Sequence, residues 1–359
     1  MLKTREAVRN LPTYHPPLAG RVGLRLDFNE NTVGCSPRVL DRLRRIEADD
    51  LARYPEREPV EAVAASHLRV SPQELLLTSG VDEAIHLLCE TYLEADEEAF
   101  IVVPTFSMYQ IFAAATGAKV IRIPAGEDFA FPTAAILGRL TPKTRVIALA
   151  NPNNPTGSVA SAEDLLRIAN SAPSAAILVD EAYFEFYEQT LLGRWREYPN
   201  LFVARTFSKA YGLAGLRVGV LLGCIEQMNA VRRIATPYNV NSVALICLPE
   251  ALDDQTYVQQ YVREVRACRA RVQQELTALG VRFWPSHANF VLIEIGDLHV
   301  TFVQRMREQG ILVRDRSGDP GCAGCVRITL GSSEQTDRLL RVLRETLPEI
   351  GRLRQEVPR

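Results

Sequence analysis

Long hydrophobic runs are the first thing missing from this 359-residue sequence. A membrane-spanning helix needs ~20 largely apolar residues in succession, and no stretch approaches that. The N-terminal Met1-Leu2-Lys3-Thr4-Arg5-Glu6 is charged and leads into no apolar core, so it is not expected to act as a signal peptide. An excess of one charge is missing too. The 41 Lys and Arg face 43 Asp and Glu, a formal net charge of -2, with the two signs interspersed. Nucleic acid and anionic membrane are therefore poor candidates as partners. The seven cysteines, odd in number and widely scattered, are no disulfide framework. Only Cys322-Ala323-Gly324-Cys325 has a suggestive spacing. Without a second Cys or His pair it reads as a Gly-containing turn before a strand. The five histidines, at 15, 67, 86, 287 and 299, form no ligand spacing, and no metal is expected. Repeats and low-complexity segments are absent as well.

What is present is a chain 47% hydrophobic and 23% charged, the make-up of a soluble globular enzyme. A cytoplasmic setting is expected. The length suffices for two domains or one large elaborated one. From about residue 74, short apolar runs alternate with longer amphipathic stretches. Strands are predicted at 75–77, 100–103, 120–123, 146–149, 177–179, 201–204 and 218–221, and helices over 81–93, 107–116 and 161–171. Such alternation argues for a mainly parallel sheet covered on both faces. Beyond about residue 240 come a long charged helical stretch (254–279), strand-like runs at 289–295 and 326–330, and an amphipathic helix near 333–347. The pattern predicts a large α/β domain over 41–252 and a smaller α/β domain formed by 253–359 with 1–40. The N-terminal segment, rich in Pro, Gly and Asn, is expected to pack beside the C-terminal part and over the site.

Four motifs fall at predicted strand ends. Thr206-Phe207-Ser208-Lys209-Ala210 follows the 201–205 run and continues to Arg217. A lysine there sits at the carboxyl edge of a sheet, where α/β folds bind ligands. The hydroxyls at 206 and 208 and the guanidinium at 217 can serve a dianionic phosphate. Asn151-Pro152-Asn153-Asn154-Pro155-Thr156-Gly157 follows the 146–150 run. Alone it is a strand-ending turn; it can also offer an Asn amide to a ligand oxygen. Asp180-Glu181-Ala182-Tyr183 ends another run. It can cap a helix or present a carboxylate to a protonated heterocyclic nitrogen. Thr78-Ser79-Gly80-Val81-Asp82-Glu83 is a strand–turn–helix junction, a capped helix or an anion site. Together the four point to one edge of one sheet.

In that order, these motifs resemble the aspartate-aminotransferase superfamily of pyridoxal-phosphate enzymes, fold type I, over nearly the whole chain. The sequence is more specifically similar to the histidinol-phosphate aminotransferase branch. That likeness rests on Leu26-Asp27-Phe28-Asn29-Glu30-Asn31, Arg53-Tyr54-Pro55-Glu56, Pro104-Thr105-Phe106-Ser107-Met108-Tyr109, His287-Ala288-Asn289-Phe290, Arg314-Asp315 and Val326-Arg327-Ile328-Thr329. Two departures stand out: Thr32 where the branch continues with Pro, and Phe106 where Tyr is usual. The second keeps an aromatic ring for stacking.

The resemblance implies an aspartate-aminotransferase-like α/β fold, pyridoxal 5'-phosphate as cofactor, and a homodimer with shared active sites. It implies that Lys209 carries the cofactor as a Schiff base and shuttles a proton, which needs a lowered amine pKa. Asp180 is expected against the pyridine nitrogen, Asn154 and Tyr183 at the ring's 3-oxygen, and Phe106 on the ring face. Thr206, Ser208, Arg217 and the backbone at Gly80, Val81 and Asp82 would hold the phosphate, joined by Tyr54 of the neighbouring subunit. For substrate, Arg327 matches the carboxylate-binding residue and Arg314 the residue for the phosphate of histidinol phosphate. Tyr14 lies in the N-terminal loop and Asn29 in the Asp27–Asn31 signature. The implied reaction moves an amino group from histidinol phosphate to 2-oxoglutarate, a step of histidine biosynthesis. Its rivals are an aminotransferase of aromatic amino acids and a threonine-phosphate decarboxylase on the same scaffold. A cofactor-sensing regulator would need an added DNA-binding segment, which the sequence does not display.

Overall fold

The computed structural model describes residues 2–15, 17 and 20–356. Among these the strands, in chain order, are β1 (Leu24–Arg25), β2 (Leu75–Thr78), β3 (Glu98–Val103), β4 (Lys119–Pro124), β5 (Thr144–Ala150), β6 (Ala176–Asp180) and β7 (Leu201–Thr206). They continue with β8 (Gly219–Leu222), β9 (Phe283–Trp284), β10 (Phe290–Glu294), β11 (Ile311–Leu312), β12 (Arg314–Asp315) and β13 (Cys325–Thr329). Seven of them form one sheet in the order β2-β8-β7-β6-β5-β3-β4. β8 runs antiparallel to both its neighbours, while the β7-β6-β5-β3-β4 pairs are all parallel. Six strands therefore share one direction, and their carboxyl ends share one edge.

Burial explains the continuous apolar runs of the central strands. In β6 and β7 every residue is buried, as in a parallel sheet covered on both faces. Alternate residues feed two cores. Ile177, Val179, Leu201 and Val203 join one, and Leu178, Phe202 and Ala204 join the other. The period of two along an extended chain thus sends neighbouring residues to opposite faces.

A second sheet, β12-β13-β10-β9, is antiparallel. The N-terminal segment is tied to it: β1 pairs in parallel with β11, and Thr329 N–H donates to Leu26 O at 2.9 Å. Residues 24–26 are thereby drawn alongside the C-terminal part. The helix Pro37–Leu43 spans the expected boundary at 40/41 and packs on the helix Ser242–Asp253. The C-terminal helix differs from expectation in length. It runs Ser333–Glu356, past Pro348, because its apolar stripe continues through buried Leu347 and Ile350. No helix among the described residues is long and apolar enough to cross a membrane.

Candidate active site

The common edge of the large sheet holds the candidate residues because of its register. Gly219 pairs with Thr78 on one side and with Thr206 on the other. The residues just beyond these three, Gly80, Ser208 and Arg217, therefore meet at one place. A side chain at Gly219 would put Cβ 2.7 Å from Arg205 O, and one at Gly80 would put it 2.5 Å from Arg217 Nη2. Glycine lets the strand ends close up, and Gly80 also has φ +74. Arg217 itself adopts φ 53 and Asn29 φ 55. Left-handed backbone at non-glycine residues costs about 1–3 kcal/mol each and clusters at functional sites.

A cavity of about 260 Å³ opens at this edge. Lys209, Asp180, Tyr183, Asn154 and Phe106 line it, as do Val81, Asp82, Thr206, Ser208 and Arg217. Among these, Arg217 Nη2 bonds Asp82 Oδ2 at 2.9 Å, Arg217 Nη1 reaches Ser208 Oγ at 3.5 Å, and Thr206 Oγ1 donates to Ser208 Oγ at 3.0 Å. The helix Gly80–Tyr92 begins there. A guanidinium, two hydroxyls and a helix N-terminus are groups able to hold a phosphate.

Asp180 lines the same cavity. Its carboxylate accepts from Tyr109 Oη and, at 2.9 Å, from Ala182 N–H. Burial dominates and pushes its pKa up to about 6, against the pull of those bonds. The same burial, with the facing carboxylate, drives the Tyr109 hydroxyl well above its ordinary value. Such a buried acid is a poor lone anion and a good partner for a cation brought in by a ligand.

Lys209 lines this cavity as well. The chain has four lysines, and Lys3, Lys119 and Lys143 are exposed. Lys209 is withdrawn, and its Nζ donates to Phe28 O at 3.2 Å. Burial, then the cationic Arg327 and Arg217, lower its pKa to about 8. That leaves an appreciable fraction of free amine near neutral pH. Phe28 O is the contribution of the N-terminal segment, and Phe28 and Glu30 complete this wall.

The remaining expected residues sit around the cavity rather than on its lining. Arg327 is buried. Its guanidinium donates to Asn154 Oδ1 and, at 2.6 Å, to Asp27 O. Burial lowers its pKa to about 10, so it stays charged at neutral pH. Arg314 pairs with Arg327 across β12 and β13 and lies 5.2 Å from the centre of the Phe28 ring. Asn29 lies behind Tyr183 rather than on the wall. Its Nδ2 donates to Tyr183 Oη at 2.9 Å, and its backbone is held by Thr329 and Asn289. Tyr54 and Tyr14 are exposed and outside this chain's cavity; Tyr54 stacks on Tyr238 at 4.4 Å. Sequence reading gave no role to Tyr109 or to Phe28 O. Neither carried a signal, since a hydroxyl and a backbone carbonyl gain meaning only from what they face. Cys322 and Cys325 are buried free thiols flanking a turn, as expected.

Phosphate donors, a buried carboxylate and a lysine of depressed pKa on the lining of one cavity fit pyridoxal phosphate. The comparisons agree. Residues 21–343 match the family described as aminotransferase class I and II. The chain is 35% identical, over 97% of its length and 99% of the relative's, to a histidinol-phosphate aminotransferase of Geobacillus sp. (strain WCH70). Its fold is similar to that of a histidinol-phosphate aminotransferase from Sinorhizobium meliloti solved in complex with pyridoxal-5'-phosphate. The TM-score is 0.89 and the identity 26%, covering 98% of this chain and 99% of that one. An L-threonine-O-3-phosphate decarboxylase from Porphyromonas gingivalis shares the fold alone, with a TM-score of 0.78 at 23% identity over 90% of this chain and 99% of that one. The chain belongs to the class I and II aminotransferases and takes pyridoxal phosphate as its cofactor.

Proposed function

We propose that this enzyme moves the amino group of histidinol phosphate to 2-oxoglutarate, giving imidazole acetol phosphate and glutamate, a step of histidine biosynthesis. One observation carries the choice of donor: two guanidiniums, Arg314 and Arg327, are register partners on adjacent strands beside the cavity. Histidinol phosphate has no carboxylate. A pocket that must accept its dianionic phosphate and, in the other half-reaction, a dicarboxylate needs more than one fixed cation.

When bound, pyridoxal phosphate supplies the electron sink for the bond broken at the substrate Cα. The chain's residues do the rest. Thr206, Ser208, Arg217 and the backbone N–H groups at Gly80, Val81 and Asp82 hold its phosphate. Asp180, held by Tyr109 and Ala182, would partner the ring nitrogen. Asn154 and Tyr183 would hold the ring oxygen, with Asn29 positioning the Tyr183 hydroxyl. Phe106 would supply a ring for stacking. Lys209 is the attachment point and then takes the proton from the substrate Cα, a task suited to an amine near pKa 8. Tyr183 keeps its proton, because burial, outweighing the pull of Arg327, leaves its pKa raised. Tyr54, exposed and stacked on Tyr238, reaches the phosphate of the partner subunit's site, so the working form is a homodimer in the cytoplasm. Residues 41–252 and the pair 1–40 with 253–359 act as the two bodies that meet at the cavity, with Tyr14 contributed over the substrate end.

The test mixes the cofactor-loaded enzyme, without keto acid, with histidinol phosphate and separately with phenylalanine, tyrosine and threonine phosphate. Conversion to the pyridoxamine form should be fastest with histidinol phosphate. Preference for phenylalanine or tyrosine would move the enzyme to aromatic amino acids, and carbon dioxide from threonine phosphate would make it a decarboxylase. Arg314→Ala is expected to lower kcat/KM for histidinol phosphate about tenfold to a hundredfold, the loss of one charge-assisted contact. An unchanged value would remove the argument for this donor.

Gly80→Ala should weaken cofactor binding about tenfold or more, because its Cβ would lie 2.5 Å from Arg217 Nη2 and φ +74 is strained for an L side chain. Titration of cofactor into the stripped variant measures this. Wild-type affinity would show that the phosphate does not rest on this turn.

A further inference from the structure

The segments that carry the cofactor residues have a second side. Along β6 and β7 alternate residues face opposite ways. Asp180 and Thr206 face the cofactor cavity, while Glu181, Arg205 and Phe207 face away. Glu181 and Arg205 pair there at 2.8 Å, both buried. Against this reverse side lies a separate cavity of about 530 Å³. It shares no lining residue with the cofactor cavity.

Its polar groups are specific. Tyr211 Oη lies 3.2 Å from His67 Nε2, and Gln255 Nε2 reaches the same hydroxyl at 3.5 Å. His67 is kept neutral, its pKa lowered by burial and by Arg205. Glu185 Oε2 is buried and accepts no hydrogen bond. Burial pushes this carboxyl up to about 7. Arg205 does not satisfy it, being bonded to Glu181 and Thr190. A buried acceptor left unmatched costs stability, which a donor from a ligand would recover.

The rim offers the opposite chemistry. Arg266 is engaged by Glu188 at 3.0 Å and by the carbonyl of Phe186. Arg263, exposed on the helix Gln255–Ala278, lines the same cavity and has no ion pair or hydrogen bond among the described residues. The aromatic rings of Phe184, Phe207 and Tyr211 supply apolar wall. An acceptor, a guanidinium and an apolar wall lining one cavity match a molecule with an ammonium, a carboxylate and a side chain.

We propose that this cavity is a second binding site, for a free α-amino acid, whose ammonium group meets Glu185 and whose carboxylate meets Arg263. It lies behind both segments that carry cofactor residues, and so is distinct from the place where an amino acid is a substrate.

The test is titration calorimetry on the holoenzyme after borohydride reduction of its cofactor–Lys209 linkage, which stops amino-group exchange. Each proteinogenic α-amino acid is titrated in turn. At least one should bind to the Arg327→Ala variant as it does to the unchanged chain, which separates this site from the substrate site. Glu185→Gln, nearly isosteric, and Arg263→Ala, at an exposed position, should each weaken that binding at least about tenfold, as expected for the loss of a charge-assisted contact. Binding that Arg327→Ala abolishes for every amino acid would overturn the proposal. So would binding that survives Glu185→Gln or Arg263→Ala unchanged.

Discussion

Lys209→Ala is expected to lower kcat by at least about 1,000-fold, within the range by which a positioned acid–base group accelerates proton transfer. In the proposed mechanism, attachment of the cofactor and the proton at the substrate Cα both depend on this one amine. It is the only lysine of the chain that is not exposed, so no neighbour can replace it. Lys209→Arg should fail equally, because a guanidinium keeps its proton at working pH. Loss of the visible cofactor absorbance with turnover identifies the defect as chemical. The fold should survive. The buried amine has its pKa lowered from 10.5 to about 8, so below about pH 8 the folded chain holds a cation it disfavours. The stability of the cofactor-free wild type therefore rises as pH climbs from about 8 towards 10.5 on account of this group, and the cofactor-free Ala variant lacks that dependence. Turnover of the Lys209→Ala variant at the wild-type rate would overturn the assignment.

Asp180→Asn should split stability from activity. In the cofactor-free protein burial raises this carboxyl from 3.8 to about 6. The folded state then binds its proton more tightly than the unfolded state does. Its contribution to stability is greatest below about pH 4, falls as pH rises to about 6, and is flat above that. The loss across this window is on the order of 3 kcal/mol. Asn carries no such charge, so the cofactor-free variant is expected to be more stable than the parent at pH 8, by about 1–3 kcal/mol in denaturant unfolding. In the loaded enzyme the sign should reverse, because in the proposed mechanism the carboxylate would meet a ring cation. Turnover should drop about 100- to 1,000-fold, the scale of removing one preorganised electrostatic partner. Cofactor stabilisation, measured as the rise in Tm on loading, should shrink too. A variant that is less stable without cofactor but fully active would show that Asp180 is a structural residue only.

How much of the fold and site is legible in the residues alone follows from which relations are local. The strands at 146–149, 177–179 and 201–204 are short β-rich runs next to amphipathic helices, and each appears close to its expected place. A motif at the end of such a run is at the sheet edge by construction. That is why Asn154, Asp180, Thr206, Ser208 and Lys209 group together on chain order alone, and all five line one cavity. The length of the last helix is less legible. Pro348 suggests an end, and only the buried stripe through Ile350 shows why the helix continues.

The sequence by itself determined the α/β class, the motifs at the carboxyl edge and the family they resemble, because strand period, turn residues and motif order are properties of near neighbours along the chain. Only the tertiary structure decided that Tyr109 holds Asp180, that Phe28 O holds Lys209 Nζ 181 residues away, and that Arg314 stands beside Arg327. It also decided that the reverse side of the same strands encloses a polar cavity with an unmatched Glu185. Those contacts depend on strand register and on the crossing of distant elements, which a short stretch of residues does not encode.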